Sequence, residues 1–214
     1  MLPVRLARDQ DGAILVEATV TMTVLLVFVL GSIDFLVAFY QWNAAAKALL
    51  VGARIAAVSD PVADGLNNLS VAVAGPFMPA GAPMPSFVVR CDGAARTCTC
   101  GGACTGITGY NDAAMNTIVF GRGSSSCSDA TSLYYAGMCD IFPRITAANV
   151  VIVYTQTGLG YVGRPNGPVP TISITLQNLP FQFYFLGGLM GLSKINIPAV
   201  ASIGGEDLSS GAPL

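Results

Sequence analysis

Apolar residues fill one long run near the start of the chain. Residues 13–33 are nearly all Val, Leu, Ile, Ala, Thr, Met or Phe, and Glu17 is the only charged residue among them. A helix needs about 20 such residues to cross the ~30 Å hydrocarbon core of a bilayer, and this run is as long. The pattern therefore predicts a membrane-spanning helix at residues 13–33.

The same helix is expected to continue beyond the span. No proline occurs between residue 13 and residue 60, and Ser59-Asp60-Pro61 is a typical helix stop. Apolar residues recur at alternating steps of four and three, which places them on one helical stripe: Phe35, Phe39, Trp42, Ala46, Leu49, Ala53 and Ala56. The polar residues Gln41, Asn43, Lys47 and Arg54 lie largely off this stripe. We therefore predict one helix over residues 13–58 whose second half is amphipathic and packs through the stripe.

After Pro61 the pattern changes to short runs of β-branched residues separated by Gly, Pro and Asn. The runs "NVVIVYT" and "TISITLQ" are the clearest strands, and the intervening "GLGYVGRPNGPVP" predicts a long hairpin loop. The candidate strands are 70–74, 86–90, 117–120, 149–155, 171–177 and 195–203. The predicted fold class is α+β, with a long N-terminal α-helix followed by a small β-rich, disulfide-containing C-terminal domain.

A second apolar segment lies at residues 181–192, with the sequence "FQFYFLGGLMGL". It is too short to cross a membrane. We interpret it as a buried strand and turn, and the alternative is a contact with lipid or with another subunit.

The composition excludes several classes of function. Charged residues make up 10% of the chain, against about 25% in soluble domains, and the formal net charge is −2. The basic residues of the C-terminal part are scattered, so nucleic acid is not an expected partner. The chain has no histidine, which excludes Ser-His-Asp catalysis and histidine metal sites. We expect neither enzymatic activity nor a cofactor or metal.

The six cysteines all follow the membrane segment, at Cys91, Cys98, Cys100, Cys104, Cys127 and Cys139. An even number in a small exported domain predicts disulfides, although the spacing leaves the pairing open apart from Cys98 and Cys100, which are too close to pair with each other. The alternative is a thiolate metal site around "CTCGGAC", whose spacing differs from the paired C-x-x-C of zinc sites.

The charges that flank the span predict its orientation. Arg5 and Arg8 precede the apolar run, whereas Asp34 follows it and the next basic residue is Lys47. By the positive-inside rule, the N-terminus lies in the cytoplasm and the rest of the chain outside.

Glu17 is the unusual residue of the span, because a carboxylate in a membrane helix costs about 3 kcal/mol and marks function by default. It lies five residues after Gly12. A cut between Gly12 and Ala13 would create an α-amine that Glu17 of a neighbouring subunit could neutralise, and such a pair sets axial register because a misplaced charge stays desolvated. The alternatives are a solvated Glu17 at the interface of an uncleaved anchor, and a secretory signal cleaved near residues 44–46.

These stretches resemble the TadE/TadG-like pseudopilins of tight-adherence (Tad, or Flp) pili, within the wider type IV pilus group. The resemblance rests on the leader "RDQDG", the start "AILVEA", then "GSIDF", "FYQWNAAAKALLVGARIAAVSDP" and the closing "INIPAVASIGGED". The closing piece resembles the final strand of the family, which ends near Glu206 here. The cysteine-rich insert 91–139 lies outside the resemblance.

The resemblance implies a minor pilin or pseudopilin that acts in pilus assembly or adhesion. A prepilin peptidase would remove residues 1–12 on the cytoplasmic side. The mature chain would stand in inner-membrane lipid with domain 59–206 in the periplasm and a flexible tail at 207–214. It would then join other pilin and pseudopilin subunits through the pilus assembly platform, and so reach the cell surface.

One position departs from the pattern of cleaved members. Ala18 follows Glu17, where those members commonly have an aromatic residue. The alternative is therefore an uncleaved TadG-like protein anchored in the membrane with a periplasmic domain. A binding or enzymatic domain held on such an anchor is the remaining alternative.

Overall fold

The computed structural model describes residues 11–127, 136–191, 195–205 and 208, without the side chains of residues 11, 189 and 190. The predicted leader at 1–12 is therefore described only at residues 11 and 12. The predicted tail at 207–214 is described only at residue 208, and Glu206, Arg5 and Arg8 lie outside the described residues.

The predicted N-terminal helix is confirmed as one continuous element, α1 (Asp11–Ala57). It begins before Ala13 and ends just ahead of the predicted stop. At its C-terminal end Arg122 Nη2 donates to the Val58 carbonyl oxygen at 2.7 Å and lies 3.4 Å from Ser59 Oγ. The guanidinium therefore satisfies a carbonyl that has no partner inside the helix and complements the negative end of the helix dipole.

The chain divides into two compact units. The first contains the helix up to Tyr40 together with Phe181–Ile195, and the second contains Gln41–Pro180 and Asn196–Leu214. The segment 181–195 therefore belongs with the apolar half of α1, although it comes late in the sequence.

The second unit is built on a five-stranded antiparallel sheet. Its strand order is β3-β2-β5-β6-β7, and β1 and β4 form a separate two-stranded ribbon. The elements after α1 are β1 (Ala63–Asp64), α2 (Leu69–Ala72), β2 (Phe87–Asp92), β3 (Thr97–Gly102), β4 (Gly109–Tyr110), α3 (Asp112–Phe120), α4 (Met138–Ile141), β5 (Val150–Thr155), β6 (Thr171–Leu176), α5 (Leu186–Met190) and β7 (Val200–Gly204).

One face of the sheet forms the core of this unit. Val89, Tyr154 and Ile172 lie opposite one another across β2, β5 and β6, and each is fully buried. The next row on the same face is Cys91, Ile152, Ile174 and Ala201. The alternation along β2 and β6 follows from the two-residue period of a strand. Three of the six predicted strands, 86–90, 149–155 and 171–177, are confirmed as β2, β5 and β6, and the predicted hairpin joins β5 to β6.

Two predicted strands are wrong, since residues 70–74 and 117–120 fall in or beside the helices α2 and α3. The Asn111 side chain caps α3 by accepting from the Ala114 N–H at 3.0 Å. The helix then buries a face that includes Met115 and Ile118. The predicted strand 195–203 is too long, because β7 begins at Val200 and Asn196 forms only an isolated bridge to Pro180.

The predicted packing stripe of α1 is confirmed only in its later half. Leu49, Ala53 and Ala56 are buried, whereas Phe35, Phe39 and Trp42 are largely exposed. The buried face is instead extended by small residues, chiefly Ala45, Ala48 and Gly52, which let other chain segments approach closely. At Gly52 the neighbour is the Met138 side chain. Gln41 was predicted to lie off the packing stripe but is buried, and Arg144 Nη1 satisfies its Oε1 by donating to it at 2.8 Å.

The interpretation of residues 181–192 as a buried strand is also wrong. The segment contains the short helix α5, and Tyr184 and Phe185 are exposed. Its chain path is stabilised by Phe181 N–H, which donates to the Ile195 carbonyl at 2.8 Å.

Candidate functional site: the exposed face of the N-terminal helix

The predicted processing position lies in the first turn of α1. Gly12 and Ala13 are both helical and exposed, and no atom lies within 4 Å of the position that a side chain at Gly12 would take. Nothing in the described part of the chain covers this peptide bond.

Glu17 lies one turn further along the same helix face. It is exposed and lines a shallow apolar depression with Ile14, Ala18, Thr21, Met22 and Leu25. Among the described residues, its carboxylate has no hydrogen-bond or ion-pair partner. If this surface lies in lipid, which offers no hydrogen bonds, the carboxylate needs a partner from outside the described chain.

The hydroxyl groups of the apolar half are satisfied within the helix. Thr19, Thr21 and Thr23 donate to backbone carbonyls three or four residues earlier at 2.7–2.8 Å, and Ser32 donates to the Phe28 carbonyl at 2.8 Å. Such bonds let a hydroxyl enter hydrocarbon without leaving a donor unpaired. Glu17 therefore differs from every one of these polar residues.

Asp34 contrasts with Glu17, because its carboxylate is fully buried and well satisfied. Oδ1 accepts the Tyr184 N–H at 2.9 Å, and Oδ2 accepts the N–H groups of Phe185 and Leu186 at 2.8 and 2.6 Å. From its position in the sequence, Asp34 was interpreted only as a charge that flanks the span. No local signal marks it, since its donors lie about 150 residues away along the chain.

The predicted disulfides are confirmed, with pairs Cys91–Cys98, Cys100–Cys104 and Cys127–Cys139. Cys91 and Cys98 stand directly opposite each other on β2 and β3, with Cα atoms 4.0 Å apart. Because these sulfur atoms are bonded to one another, they are not available as thiolate ligands, and the metal-site alternative is wrong for this state of the chain. The cysteine-rich insert contains β3, β4, α3 and α4, so it is more regular than its composition indicates.

Burial and hydrogen bonding shift the pKa values of titratable groups in the second unit. Burial raises the pKa of Tyr154, whose hydroxyl accepts the Val62 N–H at 3.0 Å, and burial raises the pKa of Tyr110 to about 12. The hydrogen bond from Gln177 Nε2 lowers the pKa of Asp92. The hydrogen bonds of Tyr154 and Asp92 tie strands and loops of the second unit together.

The comparison with known families bears on the helix alone. The family model described as TadE-like protein matches residues 12–54. The N-terminal helix is thus similar to TadE-like proteins. The match starts at Gly12 and ends three residues before the last residue of α1, so it includes Glu17 and Asp34 and none of the sheet. Comparison with curated proteins and with solved structures returns no match.

The TadE-like helix also has the length and composition of a membrane span. Its most apolar window has a mean hydropathy of 2.4, and none of that window is buried inside the chain. In the described residues it is the one helix that meets this test. The TadE-like family is pilus-associated and structural, so the match suggests a link to Tad pili, and the length and composition of the helix suggest membrane anchoring.

Proposed function

We propose that this chain is a minor pilin or pseudopilin of a Tad (Flp) type IV pilus. A prepilin peptidase cuts it after Gly12. The mature chain stands in the inner membrane with its β-rich domain in the periplasm until it joins other pilin subunits. The TadE-like match over residues 12–54 supports the pilus system, and Arg5 and Arg8 ahead of the span support the orientation.

The observation that carries this proposal is the exposed Glu17 without a partner in the described chain. Cleavage after Gly12 supplies what it lacks, because the new α-amine of Ala13 is positive. Ala13 and Glu17 are separated by about 6 Å of helix rise and lie on the same face. Helical side chains lean toward the N-terminus, so the Glu17 carboxylate extends back over the turn that Ala13 begins.

This geometry gives the pair two uses. In a single subunit within the membrane, Glu17 neutralises the α-amine of its own chain and so reduces the cost of both charges in lipid. In the pilus, the same carboxylate pairs with the α-amine of a neighbouring subunit. The exchange sets the axial position of one helix against the next, because any other register leaves two desolvated charges apart.

The experiment is an intact-mass and N-terminal peptide analysis of the full chain, extracted from membranes with and without its prepilin peptidase. We expect a chain that begins at Ala13 only when the peptidase is present. A chain that begins at Met1 in both samples would reject cleavage, and a start near Lys47 would reject the pilus proposal altogether.

Glu17→Gln separates assembly from processing. We expect the variant to be cut normally and to be lost from the sheared pilus fraction while it accumulates in the membrane. Thr21→Val is the matched control, since Thr21 lies one turn further on the same face and its hydroxyl bonds only to its own helix. Normal incorporation of Glu17→Gln into pili would refute the charge pair.

Ala18 favours one second candidate, an uncleaved TadG-like anchor with a periplasmic domain. In that case Glu17 lies at the cytoplasmic interface and is solvated there. The mass analysis distinguishes the two candidates, because only the anchor retains Met1 when the peptidase is present.

A further inference from the structure

We propose that residues 181–191 form a second membrane contact, lying in the headgroup region of the bilayer with Tyr184 and Phe185 inserted beside the end of the span. The partner is the lipid bilayer itself. This inference rests on the proposed insertion of α1 into the membrane. It adds a lipid-binding element that the N-terminal helix does not contain.

The first step is the depth at which the segment is held. Asp34 follows the apolar run directly, so it stands where the hydrocarbon core ends if residues 13–33 span it. Its two oxygens accept the N–H groups of Tyr184, Phe185 and Leu186 at 2.6–2.9 Å. These three bonds hold the start of α5 level with Asp34 on the helix, at the boundary between hydrocarbon and headgroups.

The second step is the contact just inside that boundary. Leu186 lines a shallow groove of α1 together with Gly31 and its neighbours Val27, Phe28, Ser32, Phe35 and Leu36. Gly31 has no side chain to separate the helix from Leu186. The segment is thus attached through Leu186 to the last turns of the predicted span, along a groove that is mostly apolar.

The third step is the chemistry that the segment presents. The Tyr184 side chain is 70% exposed and that of Phe185 is 45% exposed. On α1, close to Asp34 in sequence, Phe35, Phe39 and Tyr40 are exposed as well. Tyrosine and tryptophan concentrate at membrane interfaces because one end of the side chain is apolar and the other forms hydrogen bonds with water, and the exposed phenylalanines add apolar surface beside Tyr184 and Tyr40. Exposed aromatic side chains of both chain segments therefore lie at the level of Asp34 or within about 9 Å beyond it along the helix.

Asp34 acts here as a positioning residue. A carboxylate at the edge of the hydrocarbon core is costly unless hydrogen-bond donors surround it, and three backbone N–H groups supply that need. The same bonds decide where the aromatic side chains lie. Loss of the carboxylate should therefore release the segment from the span without altering the span itself.

The test uses the full chain, one copy per nanodisc, in phosphatidylcholine mixed with phosphatidylglycerol. Tyr184→Trp places a fluorescent reporter on the segment, and Phe28→Trp places one within the span. The native Trp42 is the single tryptophan of the sequence, and its signal in the unsubstituted chain is subtracted. Quenching is measured with lipids brominated near the headgroup and with lipids brominated near the end of the acyl chain.

We expect the reporter at residue 184 to be quenched more by the shallow bromines and the reporter at residue 28 more by the deep ones. Adding Asp34→Ala should remove most of the quenching at residue 184 and leave that at residue 28 unchanged. Thr23→Val is the matched control, because the Thr23 hydroxyl bonds only to its own helix.

Each other outcome has a definite meaning. Quenching at residue 28 without quenching at residue 184 refutes the second contact and leaves the span intact. Quenching at neither position refutes the span and this inference with it. If residue 184 is shielded only when several copies share a disc, then a second copy of this chain covers the segment and the lipid contact is refuted.

Discussion

Tyr154 offers the sharpest test of how the sheet is joined to the chain that leaves α1. Its side chain is fully buried on β5, and its hydroxyl accepts the N–H of Val62 at 3.0 Å. Val62 is itself fully buried, so no water replaces this bond. Tyr154→Phe keeps the ring and removes only the acceptor. We therefore expect a loss from an unpaired donor and not from a cavity.

The expected magnitude follows from that single unpaired group. A buried N–H left without an acceptor costs about 1–3 kcal/mol in the free energy of unfolding. For a chain of this size, a loss of about 2 kcal/mol lowers Tm by roughly 4–8 °C. Tyr161→Phe is the matched control, because Tyr161 is 46% exposed and exposed substitutions usually change stability by no more than about 0.5 kcal/mol.

The same variant should change the alkaline limb of stability. Burial raises the pKa of Tyr154 above the ordinary value of about 10, so above that pH the unfolded chain releases a proton that the folded chain keeps. Stability is therefore constant with respect to this group below about pH 10 and falls as the pH rises further. Tyr154→Phe removes this share of the slope and retains the share from Tyr110, whose pKa is raised to about 12.

The assay is urea unfolding of the detergent-solubilised full chain with its disulfides intact, followed by near-ultraviolet circular dichroism at neutral and alkaline pH. The reasoning is refuted if Tyr154→Phe is as stable as the unsubstituted chain at neutral pH. It is also refuted if the two chains lose stability equally above pH 10, because the buried hydroxyl would then not titrate as its surroundings require.

Two further variants test the second unit. Replacing Cys91 and Cys98 together by alanine removes the disulfide that closes a short loop. We expect the free energy of unfolding in urea to fall by about 2 kcal/mol while the hairpin is retained. An unchanged free energy of unfolding would show that the disulfide does not stabilise the register of the two strands. Arg144→Met removes the 2.8 Å hydrogen bonds to Gln41 Oε1 and to the Pro180 carbonyl, and it should lower the free energy of unfolding by about 2–4 kcal/mol. Arg144→Lys should recover part of that loss. Full recovery would contradict the conclusion that two nitrogens of the guanidinium group donate to two different acceptors.

Elements with a strong local pattern were predictable. The helix α1 is long, free of proline and ended by Ser59-Asp60-Pro61, and β5 and β6 are rich in β-branched residues with a loop of Gly, Pro and Asn between them. Each of these signals acts between residues that are neighbours in the chain. The two mistaken strands are short apolar runs, which periodicity does not distinguish from buried helical turns. For α3 the deciding residue was the cap, Asn111.

The candidate site shows the same division. Gly12, Glu17 and the apolar run could be recognised because their meaning depends on spacing along one helix, and the TadE-like match covers that stretch. Phe35, Phe39 and Trp42 were wrongly predicted to be packed, because helical periodicity shows which residues share a stripe and not whether other parts of the chain cover that stripe. Small residues such as Ala48 and Gly52 lie on the buried face instead, since they allow other chain segments to approach the helix most closely.

Neighbouring residues were thus enough to predict the long apolar helix α1 and the strands β5 and β6, and to single out Gly12 and Glu17 as candidate residues. Only tertiary structure decided that Asp34 holds a segment 150 residues away, that Tyr184 and Phe185 stay exposed, and which cysteines pair. The physical reason is the range of the interactions. Helix periodicity and hydrophobicity act over a few residues, whereas a buried carboxylate is satisfied by whichever backbone donors the fold brings to it.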